Sequence, residues 1–153
     1  MEVRLAMITK PSEAEELRLL RNECASFMTG STEPISEEQQ HRFFWEKLLP
    51  KVVDGYLLYE GDVPVAYSLL FPDQNHDSQG WLSAGVTESA RGKGYGSIVI
   101  EAVTCRGLDR FGRVLGEARA DNIASIRTCS KAGYRVVTTY EKNNVLMVLL
   151  EIP

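Results

Sequence analysis

Three glycines at alternate positions, Gly92, Gly94 and Gly96, fall in the segment Arg91-Gly92-Lys93-Gly94-Tyr95-Gly96, between an apolar run at 81–86 and an amphipathic run at about 97–110. The pattern reads as a strand turning into a helix through main chain that carries almost no side chains. Glycine costs roughly 0.5–1 kcal/mol relative to alanine inside regular structure, so such a cluster needs a reason. Without Cβ atoms the backbone approaches a ligand closely. The first free N–H groups of the following helix also point at one spot, where the helix dipole favours negative charge. Arg91 and Lys93 add cationic character. A pyrophosphate is the natural occupant, and a purely structural glycine turn is the alternative.

The rest of the chain frames that loop. Residues 3–10 suit a first strand. Pro11 and Ser12 open a helix with Glu15 completing a capping box, and Leu17, Leu20, Cys24 and Phe27 form its apolar stripe. Residues 30–34 form a break, after which Ser36 and Gln39 make a second capping box. The helix that follows carries Phe43, Phe44, Trp45 and Leu48 up to Pro50, as core residues or as the lining of a substrate site. Runs at 56–60 and 63–71 flank Gly61-Asp62, a hairpin signal, and the polar stretch 72–80 reads as a surface loop. Ile98, Ala102 and Cys105 form one face of the helix after the glycine loop. A strand at 114–120, a helix at 122–132 ended by Gly133, and strands at 134–140 and 145–151 around a turn at 141–144 complete the order β-α-α-β-β-β-α-β-α-β-β. Strand–helix–strand units imply parallel pairing and hairpins imply antiparallel pairing. The expected fold is a mixed α/β sheet with helices on both faces, in a single domain.

Composition narrows the partners. The 153 residues carry a formal charge of −4, with both signs interspersed, so no large basic field for nucleic acid is expected. Cys24, Cys105 and Cys129 form no CxxC pair, and only His41 and His76 could add imidazoles, so neither a metal site nor a disulfide framework is expected. The N-terminus lacks the regions of a signal peptide, and the longest apolar run is six residues, at 145–150. The expected location is cytoplasmic, with no membrane partner.

The glycine spacing GxGxG is neither the dinucleotide fingerprint GxGxxG nor a mononucleotide P-loop. It does match R-x-x-G-x-G, with Arg91, Gly94 and Gly96 at the defining positions. A second motif follows at the distance of one helix plus one strand: Asn122, Ser125, Lys131, Gly133 and Tyr134 form N-x-x-S-x-x-x-x-x-K-x-G-[FY]. Together they resemble the GNAT superfamily of acetyl-CoA-dependent N-acetyltransferases, strongly over residues 81–140 and by element order alone before them. The resemblance implies a mostly antiparallel sheet of about seven strands, splayed between the fourth and fifth, with four helices on its two faces. It also implies acetyl-CoA as cofactor. Gly85, Val86 and Thr87 would meet the pantetheine arm, while the amides of Arg91, Gly92, Lys93, Gly94, Tyr95, Gly96 and Ser97 would take the pyrophosphate. Asn122 and Ser125 would approach from the other side, although Asn122 is equally suited to cap its own helix.

The implied reaction is direct acetyl transfer from the thioester to a primary amine within a ternary complex, with the backbone N–H of Val86 as oxyanion donor. Many relatives place a tyrosine acid seven residues after the motif asparagine; this chain has Cys129 there. Cys129 is a candidate acid or merely a small apolar filler, with Ser130 or water as substitutes. Glu117, central on the fifth strand, is the preferred general base, ahead of Asp121, Glu88 and His76. The acceptor would be read by residues 17–51, which hold Arg18, Arg21, Asn22, Glu23, His41, Arg42 and Trp45. A small-molecule amine is the first choice, with an amino sugar one option. A protein N-terminus or side-chain amine, and a non-catalytic acetyl-CoA sensor, are the alternatives. The sequence leaves a homodimer open.

Overall fold

The computed structural model describes residues 2–25 and 33–152. In chain order the elements are β1 (Val3–Met7), α1 (Pro11–Glu23), α2 (Glu37–Phe43), β2 (Asp54–Glu60), β3 (Val63–Asp73), β4 (His76–Val86), α3 (Tyr95–Phe111), β5 (Val114–Arg119), α4 (Ile123–Lys131), β6 (Arg135–Lys142) and β7 (Val145–Ile152). A π-turn at Phe44–Leu48 continues α2, and a single 3₁₀ turn at Glu88–Ala90 precedes the glycine loop. The sheet order is β1-β2-β3-β4-β5-β7-β6, antiparallel throughout except for β4 and β5. That one parallel contact holds for only two pairs, Gly80↔Val114 and Trp81↔Leu115, before the strands part.

Successive strand residues face opposite sides of a sheet, so neighbours in β2 show where the helices lie. Leu57 packs with Leu17 and Leu20 of α1 and with Phe44 and Leu48, whereas Leu58 packs with Ala66, Tyr95 and Val99 of α3. Helices α1 and α2 therefore cover one face, and α3 the other. Helix α4 joins α3, because Cys129 and Ile100 share a cluster with Val114, Ala118, Tyr134 and Leu150. Mixed pairing and two-sided cover follow the sequence expectation.

Several local expectations need correction. Helix α1 is capped by Glu13, not by Ser12 and Glu15: Pro11 takes the first helical position, and Glu13 Oε1 accepts from the N–H groups of Thr9 (2.9 Å) and Lys10 (3.0 Å). Glu15 instead accepts from Arg18 Nε at 2.9 Å. Leu17, Leu20 and Cys24 are buried as expected, while Phe27 and Gly30 lie outside the described residues. The Ser36–Gln39 box forms, with reciprocal bonds of 3.1 and 2.9 Å. Phe44 and Leu48 enter the core, but Trp45 is 51% exposed.

Residues 72–80 are not a surface loop, because β3 runs to Asp73 and β4 starts at His76. Asp73 organises this hairpin by accepting from Trp81 Nε1 (2.7 Å), Gln79 Nε2 (2.8 Å) and the N–H of Asn75 (2.8 Å). Those donors, Trp81 foremost, hold its carboxyl down at about 2. At the other hairpin, Asn143 and Asn144 adopt φ of 53° and 64°, the pair of positive values a two-residue turn with the strands' own twist requires.

Helix α3 begins at Tyr95, and its buried face is Tyr95, Val99, Val103 and Gly107 with Ile100 and Thr104; of the face read from the sequence, Ile98 packs against this core and Ala102 is half-buried. Cys105 is exposed. The buried face includes a glycine, Gly107. A Cβ there would lie 2.4 Å from Val114 Cγ2 on β5 and 3.1 Å from Leu70 Cδ1. Alanine gains about 1 kcal/mol of helix propensity over glycine, but forcing a methyl into a packed core costs about 1–3 kcal/mol. Gly107→Ala should therefore lower the melting temperature. A thermal melt by circular dichroism checks this, and a raised melting point would show that α3 and β5 have room to part.

Candidate active site

The site is built where β4 and β5 separate and α3 begins. Gly92 and Gly94 hold φ of +81° and +83°, a left-handed backbone that costs other residues roughly 1–2 kcal/mol. A Cβ at either would meet nothing within 4 Å, so conformation rather than crowding demands these two glycines, and the space in front of them is open. Gly96 differs: a Cβ there would make ordinary contacts, 3.6 Å to Val86 Cγ2 and 3.8 Å to Thr128 Cγ2. Gly94 is the N-cap of α3 and brings no side-chain cap. The leading amides of α3, at Tyr95, Gly96 and Ser97, thus carry the helix's positive end without a capping side chain. Such a surface fits a pyrophosphate.

The loop is tied down by a residue the sequence did not advertise. Glu60, the last residue of β2, accepts from the Tyr95 hydroxyl and from Lys93 Nζ at 3.4 Å. The Tyr95 bond, and then Lys93, hold the Glu60 carboxyl below its usual range, and the same bond raises the Tyr95 phenol. The Tyr95 ring belongs to the core cluster of Val99 and Ala66, so only its amide faces the loop's open side. The Lys93 charge is partly spent on Glu60. Arg91 turns back on β4, its Nε donating to Val86 O at 3.3 Å. No local pattern links Glu60 to Tyr95, because the two lie 35 residues apart.

Strand β4 supplies the second wall. The N–H of Gly80 donates to Arg113 O at 3.0 Å, on the β5 side, and that of Thr87 donates to Val65 O at 2.9 Å, on the β3 side. Strand alternation between these two points turns the main-chain N–H groups of Leu82, Ala84 and Val86 toward β5, into the widening gap. Gly85 is oriented differently from the sequence expectation. It pairs with Tyr67 of β3, and its missing side chain makes room for that ring, since a Cβ would lie 2.6 Å from Tyr67 Cε1. Thr87 is buried, and its Oγ1 has no hydrogen-bond partner among the described residues.

The catalytic candidates fall in distinct places. Glu117 lies on the splayed arm of β5, on the α1 face, and accepts from the Tyr140 hydroxyl and from Lys142 Nζ at 2.8 Å. Burial, then Glu117, push the Tyr140 phenol far up, so it stays a donor at neutral pH. Cys129 sits in the apolar cluster beneath α4, and burial raises its thiol to about 11, which matches the filler reading. Asn122 caps α4, its side chain accepting from the N–H of half-buried Ser125 at 3.2 Å. Ser130 and Glu88 are exposed. Asp121 is held by Arg119, which lowers its carboxyl. His76 opens β4, ten residues and about 30 Å of strand away from Val86. It is a strand residue at the far end, not part of a surface loop.

On the acceptor side, Asn22 and Arg18 clamp the main chain of Ile35, with bonds of 2.7, 3.0 and 3.2 Å. His41 meets Trp45 edge-on, Arg42 makes a long exposed pair with Glu38, and Glu23 is exposed. Arg21 lies under none of these, against the buried Tyr67.

The profile of the acetyltransferase (GNAT) family matches residues 15–134. The chain belongs to that family, whose members transfer acetyl from acetyl-CoA, and it is an acyltransferase of this kind. Among solved structures it is similar to an N-acetyltransferase from Staphylococcus aureus Mu50, with a TM-score of 0.87, 15% identity, and 99% and 98% of the two chains covered. It is also similar to a ribosomal-protein-alanine N-acetyltransferase from Brucella melitensis (TM-score 0.83, 15% identity, 99% of each chain). A GNAT superfamily phosphinothricin acetyltransferase from Sinorhizobium meliloti, in complex with acetyl-CoA, is comparable (TM-score 0.82, 16% identity, 100% and 89%). A search of curated proteins gave no significant match. Proteins named for very different acceptors share this shape, so the shape alone does not select one. Among the described residues, no helix is long and apolar enough to cross a membrane.

The Glu60 anchor has a pH signature. Because folding depresses its carboxyl, the stability it supplies is complete above the unfolded value of about 4.3 and drains away as pH falls through the lower folded value. Glu60→Gln should melt below the native protein at about pH 6, and the difference should shrink toward about pH 3. Melting temperatures across that range check it; a constant difference would remove the ionic anchor.

Proposed function

We propose that this chain is an N-acetyltransferase that moves acetyl from acetyl-CoA to a primary amine of a small molecule by direct attack within a ternary complex. The observation that carries the proposal is the α3 N-terminus without a side-chain cap, set beside the outward-turned amides of β4. Acetyl-CoA supplies an activated thioester acetyl group. The chain's amides from Arg91 to Ser97 bind the pyrophosphate, and Arg91 can leave Val86 O to assist them. Ala84 and Val86 offer main-chain donors and acceptors to the pantetheine amides in the manner of an added strand. The Val86 N–H faces the gap and serves as oxyanion donor. Thr87 and the Asn122–Ser125 end of α4 complete the walls.

The acceptor enters from the α1 face, between the arms of β4 and β5. Glu117 is the base on the β5 arm, with Tyr140 and Lys142 fixing its orientation. Cys129 contributes packing, and the departing thiolate takes its proton from water. An amino sugar remains within the acceptor class, and a protein amine is the second choice.

The test combines an amine library with acetyl-CoA, read by free-thiol release and by mass-spectrometric identification of the product. Acetylated product is expected. Glu117→Gln should lower kcat about 100-fold and flatten the acid limb of the pH–rate profile. A profile that does not change would take Glu117 out of the mechanism. Acetyl-CoA binding without any product would favour the sensor.

A further inference from the structure

Arg21, in the last turn of α1, stands apart among the described arginines by a buried Nε that no acceptor meets. Arg18, Arg42, Arg106, Arg110, Arg113, Arg119 and Arg135 each pair with a carboxylate. Arg21 enters none of the ion pairs formed by the described residues, and its Nε is buried without a hydrogen-bond partner. Glu23, two residues on, is exposed and does not pair with it. A half-buried guanidinium with an unmet N–H is costly, and it is tolerated where a ligand brings the missing acceptor.

Its surroundings place it at the proposed acceptor entrance. Arg21 lies against the hydroxyl of Tyr67, a fully buried residue that also meets Ser83 of β4. The Tyr67 ring rests on Gly85, where a Cβ would also come within 3.2 Å of Cys24 Sγ. Cys24 Sγ then donates to Val86 O at 3.5 Å, the same oxygen that Arg91 engages. Residues 83–86 of β4 are thus bordered on the α1 face by two cations and the hydroxyls of Tyr67 and Ser83. Burial raises the Tyr67 phenol to about 12, so at neutral pH it is a neutral donor rather than a counter-ion. Arg21 itself forms no ion pair with the described residues.

We propose that the acetyl acceptor carries an anionic group, a carboxylate or a phosphate, in addition to its amine, and that Arg21 binds that group. The inference rests on the acceptor entering between the two arms as proposed above. Arg21 on the β4 side would grip the anion in its planar fork while Glu117 on the β5 side receives the ammonium end. The opposed charges fix which end of the acceptor reaches Val86.

Two matched pairs of acceptors test it with the full chain: β-alanine against propylamine for carboxylate, and O-phosphoethanolamine against ethanolamine for phosphate. Coenzyme A release gives kcat and KM for the native protein, Arg21→Gln and Arg21→Lys. The anionic member of one pair should be preferred by about 30-fold or more in kcat/KM, and that pair identifies the group. Arg21→Gln should collapse the ratio, mainly through KM, and Arg21→Lys should retain part of it. Thermal melts and the acetyl-CoA-induced shift report whether each variant folds and binds the donor. Should Arg21→Gln not fold, the preference of the native protein and its reduction in Arg21→Lys still decide the matter. Equal or better turnover of the neutral members, or a ratio that survives Arg21→Gln, overturns the assignment. So does a lack of turnover with all four amines while acetyl-CoA still shifts the melt. A native protein that acetyl-CoA does not stabilise would instead overturn the acetyltransferase site itself.

Discussion

The constraint on which the rest depends is a ladder that stops. Strands β4 and β5 are parallel neighbours for two residue pairs and then diverge, leaving main-chain groups of β4 with no strand beside them. A sheet that loses pairing in its middle gives up backbone hydrogen bonds unless something else satisfies them. Here the gap opens beside the positive end of α3 and below the end of α1. A ligand with amides along its length and a diphosphate at one end answers both deficits together. The two halves of the sheet are held apart by their own cores, one between α1 and the first strands, one between α3, α4 and the last.

The glycine loop is kept in shape by a mixture of freedom and restraint. Two left-handed glycines let the chain turn into α3, and Glu60 fastens the far side through Tyr95 and Lys93. Because Lys93 is engaged there, the anion-binding character of the loop rests on amides and the helix dipole more than on side-chain charge. On the opposite face the balance reverses. Arg21 and Arg91 bring full charges to the end of β4, across the gap from Glu117 on β5.

Much of this was legible in the sequence because it is local. Gly61-Asp62, Asn143-Asn144, the Ser36–Gln39 box and the glycine loop each announce themselves within a few residues, and the order of strands and helices follows from them. What stayed hidden depends on partners far along the chain. Glu60 reads as an ordinary strand-end acid until Tyr95 is brought beside it. Gly107 reads as a weak point in a helix until Val114 is seen against it. The polar composition of 72–80 suggested a loop because Asp73 could not be recognised as the acceptor that lets Gln79 and Trp81 stay in a strand. Arg21 was one of several charges on α1, and what sets it apart is a buried Nε with no acceptor, which only the folded chain shows.

The central claim, that the unshielded amides at the start of α3 hold the diphosphate of coenzyme A, is most directly tested by amide chemical shifts of ¹⁵N-labelled protein titrated with coenzyme A. Gly96→Val serves as the control, provided its melt shows that it folds, because it adds bulk at a position where a Cβ alone already makes ordinary contacts with Val86 and Thr128. The account predicts that the amides of Gly92, Gly94, Tyr95, Gly96 and Ser97 shift most, together with Val86, and that the variant loses the response. Saturable shifts centred elsewhere, with these amides unmoved, would contradict it.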